Sequence, residues 1–167
     1  VWSGQREQEL RVLLFSDRRP RRLFLNGVKQ KTSAGICGVL TSVLFRPEDL
    51  YLLKKGAQSR RRFLDDVIGQ LRPNYEAAIT EYGRLLEQKS ALLSVWREAP
   101  SYLDILPEYD QRMAQVGAIV ISYRARCLKT LGALAGGFHD EFSEGKERLC
   151  LQYRTVSTVD DPFAPLE

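Results

Sequence analysis

Few side chains in this 167-residue sequence have the types and spacing that chemistry requires. The single histidine, His139, stands in the polar run His139-Asp140-Glu141 with no second ligand at metal spacing, and reads as a solvated helix-end residue. Cys37, Cys127 and Cys150 are an odd number without a C-x-x-C pair. That argues against a disulfide framework or a zinc site and for reduced thiols serving as small core residues in a cytosol-like compartment. Glu48-Asp49 and Asp65-Asp66 are adjacent acid pairs, but acids at a helix start or on its wet face are ordinary, so neither is assigned a metal. Two glycine motifs fall short. Gly27-Val28-Lys29-Gln30-Lys31-Thr32 ends like a phosphate-binding loop but lacks the G-x-x-x-x-G-K-[ST] spacing whose backbone wraps a triphosphate. Gly35-Ile36-Cys37-Gly38 spells the G-x-x-G of a KH loop with side chains ill suited to an exposed clamp. Read this way the chain holds no catalytic residue, no metal ligand and no self-sufficient active site.

What remains is positive charge, unevenly placed. The net charge of +4 hides two unlike halves: residues 1–72 carry 15 Lys+Arg against 7 Asp+Glu, and residues 73–167 carry 10 against 14. The basic residues cluster as Arg18, Arg19, Arg21 and Arg22, then Lys29 and Lys31, then Lys54 and Lys55, then Arg60, Arg61 and Arg62. Arginine suits bidentate contact with phosphate oxygens, so a polyanion such as nucleic acid is one reading and a solvated basic surface is the other. The longest apolar runs, Ile36 to Phe45 and Val116 to Ile121, are far short of the roughly 18 residues of a membrane span. No basic-then-apolar leader opens the chain, and its start at Val1-Trp2-Ser3-Gly4 reads as that of a fragment. With 44% hydrophobic and 28% charged residues, one core, or one core with an appended subdomain, is expected.

The elements that must position these residues follow from the pattern. Arg11 to Ser16 and Arg22 to Leu25 flank Asp17-Arg18-Arg19-Pro20-Arg21, which predicts a hairpin with a basic tip. Asn26-Gly27 marks a second tight turn, with Val28 to Lys31 leaving it as a brief strand. Thr32 or Ser33 caps a short helix ended by Gly38, and the β-branched and aromatic content of Val39 to Phe45 predicts a buried strand. Pro47 with Glu48 and Asp49 opens a helix running to about Lys55 and stopped by Gly56, and Ser59 caps the next, Arg60 to Leu71. Beyond Pro73 the residues Tyr75, Ala78, Ile79, Tyr82, Leu85, Leu86, Leu92, Leu93 and Trp96 recur at helical spacing. After a breaker from Ala99 to Pro107, a longer stripe follows from Met113 through Val116, Val120, Tyr123, Cys127, Leu131, Leu134 and Phe138 to Phe142. The two helices are expected to pair antiparallel, with Gly136-Gly137 loosening the second near its end. The alternation of Leu149, Leu151 and Tyr153 predicts a returning strand, and the Asp-Pro-Phe-Ala-Pro tail a turn or linker.

The segment Val43-Leu44-Phe45-Arg46-Pro47-Glu48-Asp49-Leu50, followed by Leu53-Lys54-Lys55-Gly56 and Arg60-Arg61-Arg62-Phe63-Leu64-Asp65, resembles the central motif of the RecF family. These are bacterial DNA replication and repair ATPases with an ABC-type head related to SMC and Rad50 proteins. The resemblance extends more loosely over the Asn-Gly hairpin, the Pro73-x-Tyr75 opening of the long helix and the stretch from Tyr153-Arg154 to Asp161-Pro162. It implies an α+β fold: a partial ABC-ATPase lobe I, built of β-hairpin, strand and short helices, with a mainly α-helical lobe II containing a long antiparallel helical hairpin. The organisation it implies is residues 1–72 as the rear of lobe I and the junction, 73–144 as helical lobe II, and 145–167 as returning strand and linker.

In such proteins the Walker A loop precedes this region, and the signature motif and Walker B acid follow it. The resemblance therefore implies a central fragment with no cofactor of its own and no activity alone, from a weak ATPase that uses ATP and Mg at full length. Full-length function would be binding of ATP and of single- and double-stranded DNA, ATP-dependent dimerisation, and support of recombinational gap repair, the SOS response and replication restart. RecO- and RecR-type partners and a bacterial, nucleoid-associated cytoplasmic location go with it, and no membrane. Glu48 falls at the nucleotide-sensing loop position, with a helix-start charge as the plainer reading. Arg60, Arg61, Arg62, Lys54, Lys55, Arg18, Arg19, Arg21 and Arg22 are the candidate DNA contacts. Three consecutive helical arginines point about 100° apart, so one is expected to pair with Asp65 or Asp66 while another reaches phosphate. The competing reading for them is an internal salt-bridge network. The competing function is a non-catalytic helical protein-interaction module without nucleic-acid binding.

Overall fold

The computed structural model describes the backbone of residues 2–3, 6–98 and 100–155, and the side chains of 1–6, 33 and 34 are not considered. The fold is α+β. Strands β1 (Trp2–Ser3) and β2 (Arg6–Glu7) pair antiparallel. Strands β3 (Leu10–Leu13), β4 (Arg22–Leu25) and β5 (Val28–Gln30) form a second antiparallel sheet in the order β3-β4-β5. The register places Leu10 opposite Leu25 and Leu13 opposite Arg22, so the arginine-rich residues 14–21 make the connection at one end. Asn26 and Gly27 turn β4 into β5 with φ of 50° and 77°. Both central residues of this tight turn are left-handed, the conformation Asn-Gly adopts most cheaply and the one whose twist matches the strands.

Three helices follow: α1 (Ala57–Leu71), α2 (Pro73–Ser94) and α3 (Leu106–Phe142). The chain divides after Ala77 into two compact units, residues 1–77 and 78–167. In the first, Leu23 of β4, Leu64 and Ile68 of α1 and Tyr75 at the start of α2 are buried, and the Tyr75 hydroxyl donates to the Asp65 carboxylate. In the second, residues 78–94 of α2 run antiparallel to α3. Glu81 accepts from Arg112 Nε at 2.7 Å, Lys89 pairs with Asp110, and a Cβ placed on Gly117 would meet the Tyr82 ring at 3.3 Å. Ala78, Leu85, Val116 and Val120 of the predicted stripes are buried there together with Ala125, whereas Leu86, Leu93, Trp96, Leu134, Phe138 and Phe142 of the same stripes are exposed.

Several expected elements differ. Residues 39–45 carry neither strand nor helix. Val43, Leu44 and Phe45 are 100%, 75% and 71% exposed rather than buried. Pro47–Tyr51 closes as a short 3-10 turn, and α1 starts at Ala57 behind Gly56, two residues before the expected Ser59 cap. Helix α3 runs unbroken through Gly136-Gly137. Residues 147–155 form no strand or ladder, although Leu149, Leu151 and Tyr153 alternate half-buried against exposed neighbours and Leu151 packs over Gly132. The Asp161-Pro162 part of the tail lies outside the described residues.

Candidate nucleic-acid interface

The arginines of residues 14–22 are organised by two side chains that the sequence reading passed over. The Asp17 carboxylate accepts the Arg19 backbone N–H at 3.0 Å and the Arg19 Nε at 2.8 Å. The Arg19 guanidinium, and then its N–H, hold the Asp17 carboxyl below its usual value. Phe15 carries two cations: the Arg19 guanidinium lies 4.4 Å from its ring centroid and that of Arg22 5.4 Å. Arginine over an aromatic face is attractive and reduces the freedom of an otherwise loose side chain. Arg18 and Arg21 are exposed and make no ion pair among the described residues. An Asp two residues before an arginine in a Pro-containing tract is an Asx-turn signal, so the Asp17 role was legible in principle.

The second cluster surrounds the 47–55 turn. Asp49 holds its start by accepting the Arg46 N–H at 2.9 Å, with the Arg46 guanidinium 3.5 Å away. Glu48 is exposed, and its backbone carbonyl accepts from Lys55 Nζ at 3.5 Å. Lys54 Nζ lies 5.9 Å over the Tyr51 ring. The three arginines of α1 then separate by role. Arg60 Nη1 donates to the carbonyls of Lys55 at 2.8 Å and Leu53 at 3.4 Å, so it braces the turn against the helix start. Arg61 and Arg62 are exposed and without an ion pair among the described residues. No ion pair from any of the three to Asp65 or Asp66 occurs among the described residues.

Lys29 lies on β5, and Gly27 is spent on the hairpin turn, so the loop-like spelling from Gly27 to Thr32 is strand and turn. Gly35 and Ile36 likewise belong to the 3-10 turn Ser33–Ile36, and the Gly38 N–H beyond it donates to Gln70 O at 2.9 Å. Cys37 donates from Sγ to Gly69 O at 2.9 Å. Burial pushes its thiol up, helped by Glu76, and burial alone does the same for Cys127. All three cysteines are free. His139 Nε2 lies 3.6 Å from a Glu147 carboxylate oxygen, and no cluster of metal-ligating side chains occurs among the described residues. No described helix is long and apolar enough to cross a membrane.

What the described residues define is a class: an α+β chain that presents two clusters of exposed basic side chains. No protein-family model matches it. The particular protein it is similar to is RecF. The DNA replication and repair protein RecF of Symbiobacterium thermophilum is 33% identical over 165 residues, covering 99% of this chain and 42% of that protein. RecF of Chloroflexus aurantiacus is 34% identical over 154 residues, covering 90% of this chain and 37% of the relative. Among solved structures, the recombination mediator protein RecF-ATPrS of the RecFOR pathway superposes with a TM-score of 0.77 at 27% identity, over 85% of this chain and 38% of that one. RecF-ATP gives 0.72 over 84%. The chain is thus RecF-like over nearly all its residues and spans about two-fifths of the length of the relatives it matches.

Proposed function

We propose that this chain is the part of a RecF-type DNA replication and repair protein that presents arginine to the phosphate backbone of DNA. The supporting observation is that Arg61 and Arg62, and Arg18 and Arg21, are exposed and without ion-pair partners among the described residues, in a chain 33% identical to RecF. Lys54, Lys55 and Arg22 extend these surfaces, whereas Arg60 and Arg19 are engaged by the protein itself. In the full-length protein these contacts serve ATP-dependent dimerisation and gap repair with RecO- and RecR-type partners in the bacterial cytoplasm. Nucleotide and Mg are held by loops outside this chain, and Glu48 is a helix-start charge. The chain alone neither binds nor hydrolyses ATP, and robust ATP turnover by it would overturn the reading.

Fluorescent duplex DNA titrated at low and raised salt is the direct test. Weak affinity that falls steeply with salt is expected, as phosphate contact requires. Arg61→Ala and Arg62→Ala should each weaken it about threefold or more, while Arg60→Ala leaves affinity near wild type and loosens the turn. Absence of binding at low salt, or indifference to the changes at 61 and 62, removes the DNA assignment. The competing reading, a protein-docking helical module, has its own observation: Leu134, Phe138 and Phe142 form an exposed apolar stripe on α3. It would be favoured if DNA binding were absent.

A further inference from the structure

The β3–β4 hairpin carries its arginines in a form that α1 does not. Leu13 pairs with Arg22 at its base, so residues 14–21 leave the sheet between two strands only about 5 Å apart. An α-helix is about 10–12 Å across with its side chains, which suits the major groove of B-DNA and not the minor groove, about 6 Å wide. Arg61 and Arg62 on α1 are therefore confined to phosphates or the wide groove, whereas a loop on a two-stranded base is narrow enough for the other. The composition of the tip agrees. Every cation from residue 14 to residue 22 is arginine, whose guanidinium is more weakly hydrated than an ammonium and sheds water at lower cost. Pro20 stands exposed between Arg19 and Arg21, a rigid apolar ring of the kind that minor-groove proteins set against base steps. The tip is also ordered in the absence of DNA. Asp17 accepts the Arg19 N–H and Nε, and the Phe15 ring holds the guanidiniums of Arg19 and Arg22 at 4.4 and 5.4 Å. These contacts compensate the one acidic charge of the tip and lower the ordering cost of binding. Arg18 and Arg21 are left exposed, without an ion pair among the described residues.

We propose that the β3–β4 tip enters the minor groove of duplex DNA, with Arg18 and Arg21 in the groove, Pro20 against the base steps and Arg22 on a rim phosphate. This rests on the DNA reading above and deepens it: the arginines of α1 hold the phosphate backbone, and the tip supplies a preference among duplexes. A·T tracts have a narrow minor groove whose enhanced negative potential draws a guanidinium in, whereas a G·C pair puts the guanine N2 amino group on the groove floor. The tip therefore prefers A·T-rich to G·C-rich duplex, and a single strand offers it no groove.

The test is a titration of the chain against three labelled duplexes of equal length at one low salt concentration: an A·T core, a G·C core, and the same G·C core with inosine in place of guanine. Inosine removes only the N2 amino group, so an I·C pair keeps the major groove of G·C and presents the minor groove of A·T. The A·T and I·C duplexes should bind about fivefold or more tighter than G·C, and netropsin, which fills an A·T minor groove, should remove the A·T advantage. The double change Arg18→Ala, Arg21→Ala should bring the three affinities to within about twofold of one another and leave the melting temperature unmoved, since both side chains are exposed. Arg61→Ala should weaken all three alike. Equal affinity of the unchanged chain for the three duplexes, an I·C duplex that binds like G·C, or a preference that survives the double change overturns the groove assignment. In those cases the DNA reading stands, because duplex binding itself remains. Binding to none of the three overturns both.

Discussion

The three-stranded sheet of residues 10–30 and the run of residues 39–45 are built from similar sequence and end differently. Both alternate or concentrate β-branched, leucine and phenylalanine residues beside a glycine-bearing turn. In β3, β4 and β5 each strand finds its neighbour within a few residues, and Leu23 at the centre is buried. Residues 39–45 have no such neighbour, and Phe45 stays 71% exposed. Strand propensity is a preference for a pleated, half-buried surface, so composition marks the candidate and pairing decides the outcome. Residues 147–155 are intermediate: Leu149, Leu151 and Tyr153 gain cover from α3 while the backbone gains no ladder.

The contrast can be broken by proline. Phe24→Pro in the central strand β4 removes a ladder donor between two neighbours and should cost about 3 kcal/mol or more, read as loss of the unfolding transition or a large fall in its midpoint. Leu44→Pro in the same chain should move stability by no more than about 0.5 kcal/mol, since no hydrogen bond is there to lose. Equal effects would mean that residues 39–45 are paired after all.

Smaller changes sharpen the comparison. Tyr75→Phe leaves a fully buried ring in place and deletes the hydroxyl that donates to Asp65, which should cost about 1–3 kcal/mol in urea unfolding. Gly27→Ala keeps the β4–β5 turn but places a Cβ on a residue with φ of 77°, with an expected loss of about 1 kcal/mol. The smallest effect belongs to the helical hairpin. Arg112 holds the Glu81 carboxyl below its ordinary 4.5. A lowered folded-state value contributes stability that is present above that ordinary value and is lost as pH falls through the folded one. Glu81→Gln should therefore lower stability slightly at neutral pH, where the pair's contribution is fully present, and leave it unchanged at low pH, so that the acid limb flattens; the effect is small because the pair faces solvent.

Legibility followed the range of the interactions. The stripes Tyr75 to Trp96 and Met113 to Phe142 gave the two long helices and their antiparallel pairing, because helical hydrogen bonds close four residues away. Asn26-Gly27 gave a turn and the brief strand leaving it for the same local reason. The basic clusters were countable, but their division was not. Arg60, Arg61 and Arg62 are equivalent in sequence, and only the packing of the 47–55 turn against α1 places carbonyls of Leu53 and Lys55 within reach of the first. Arg19 was likewise indistinguishable from Arg18 until Phe15 and Asp17 closed on it.

The sequence by itself determined the charge asymmetry, the absence of a phosphate-binding loop spelling, the helical hairpin and the RecF-like motif from Val43 to Asp65. The tertiary structure decided which arginines are engaged by the protein and which are presented, and that residues 39–45 and 147–155 are strands in pattern but not in pairing. The physical reason is that charge, turns and helices are settled by neighbours in the chain, whereas a strand or an ion pair is settled by whatever the fold brings alongside it.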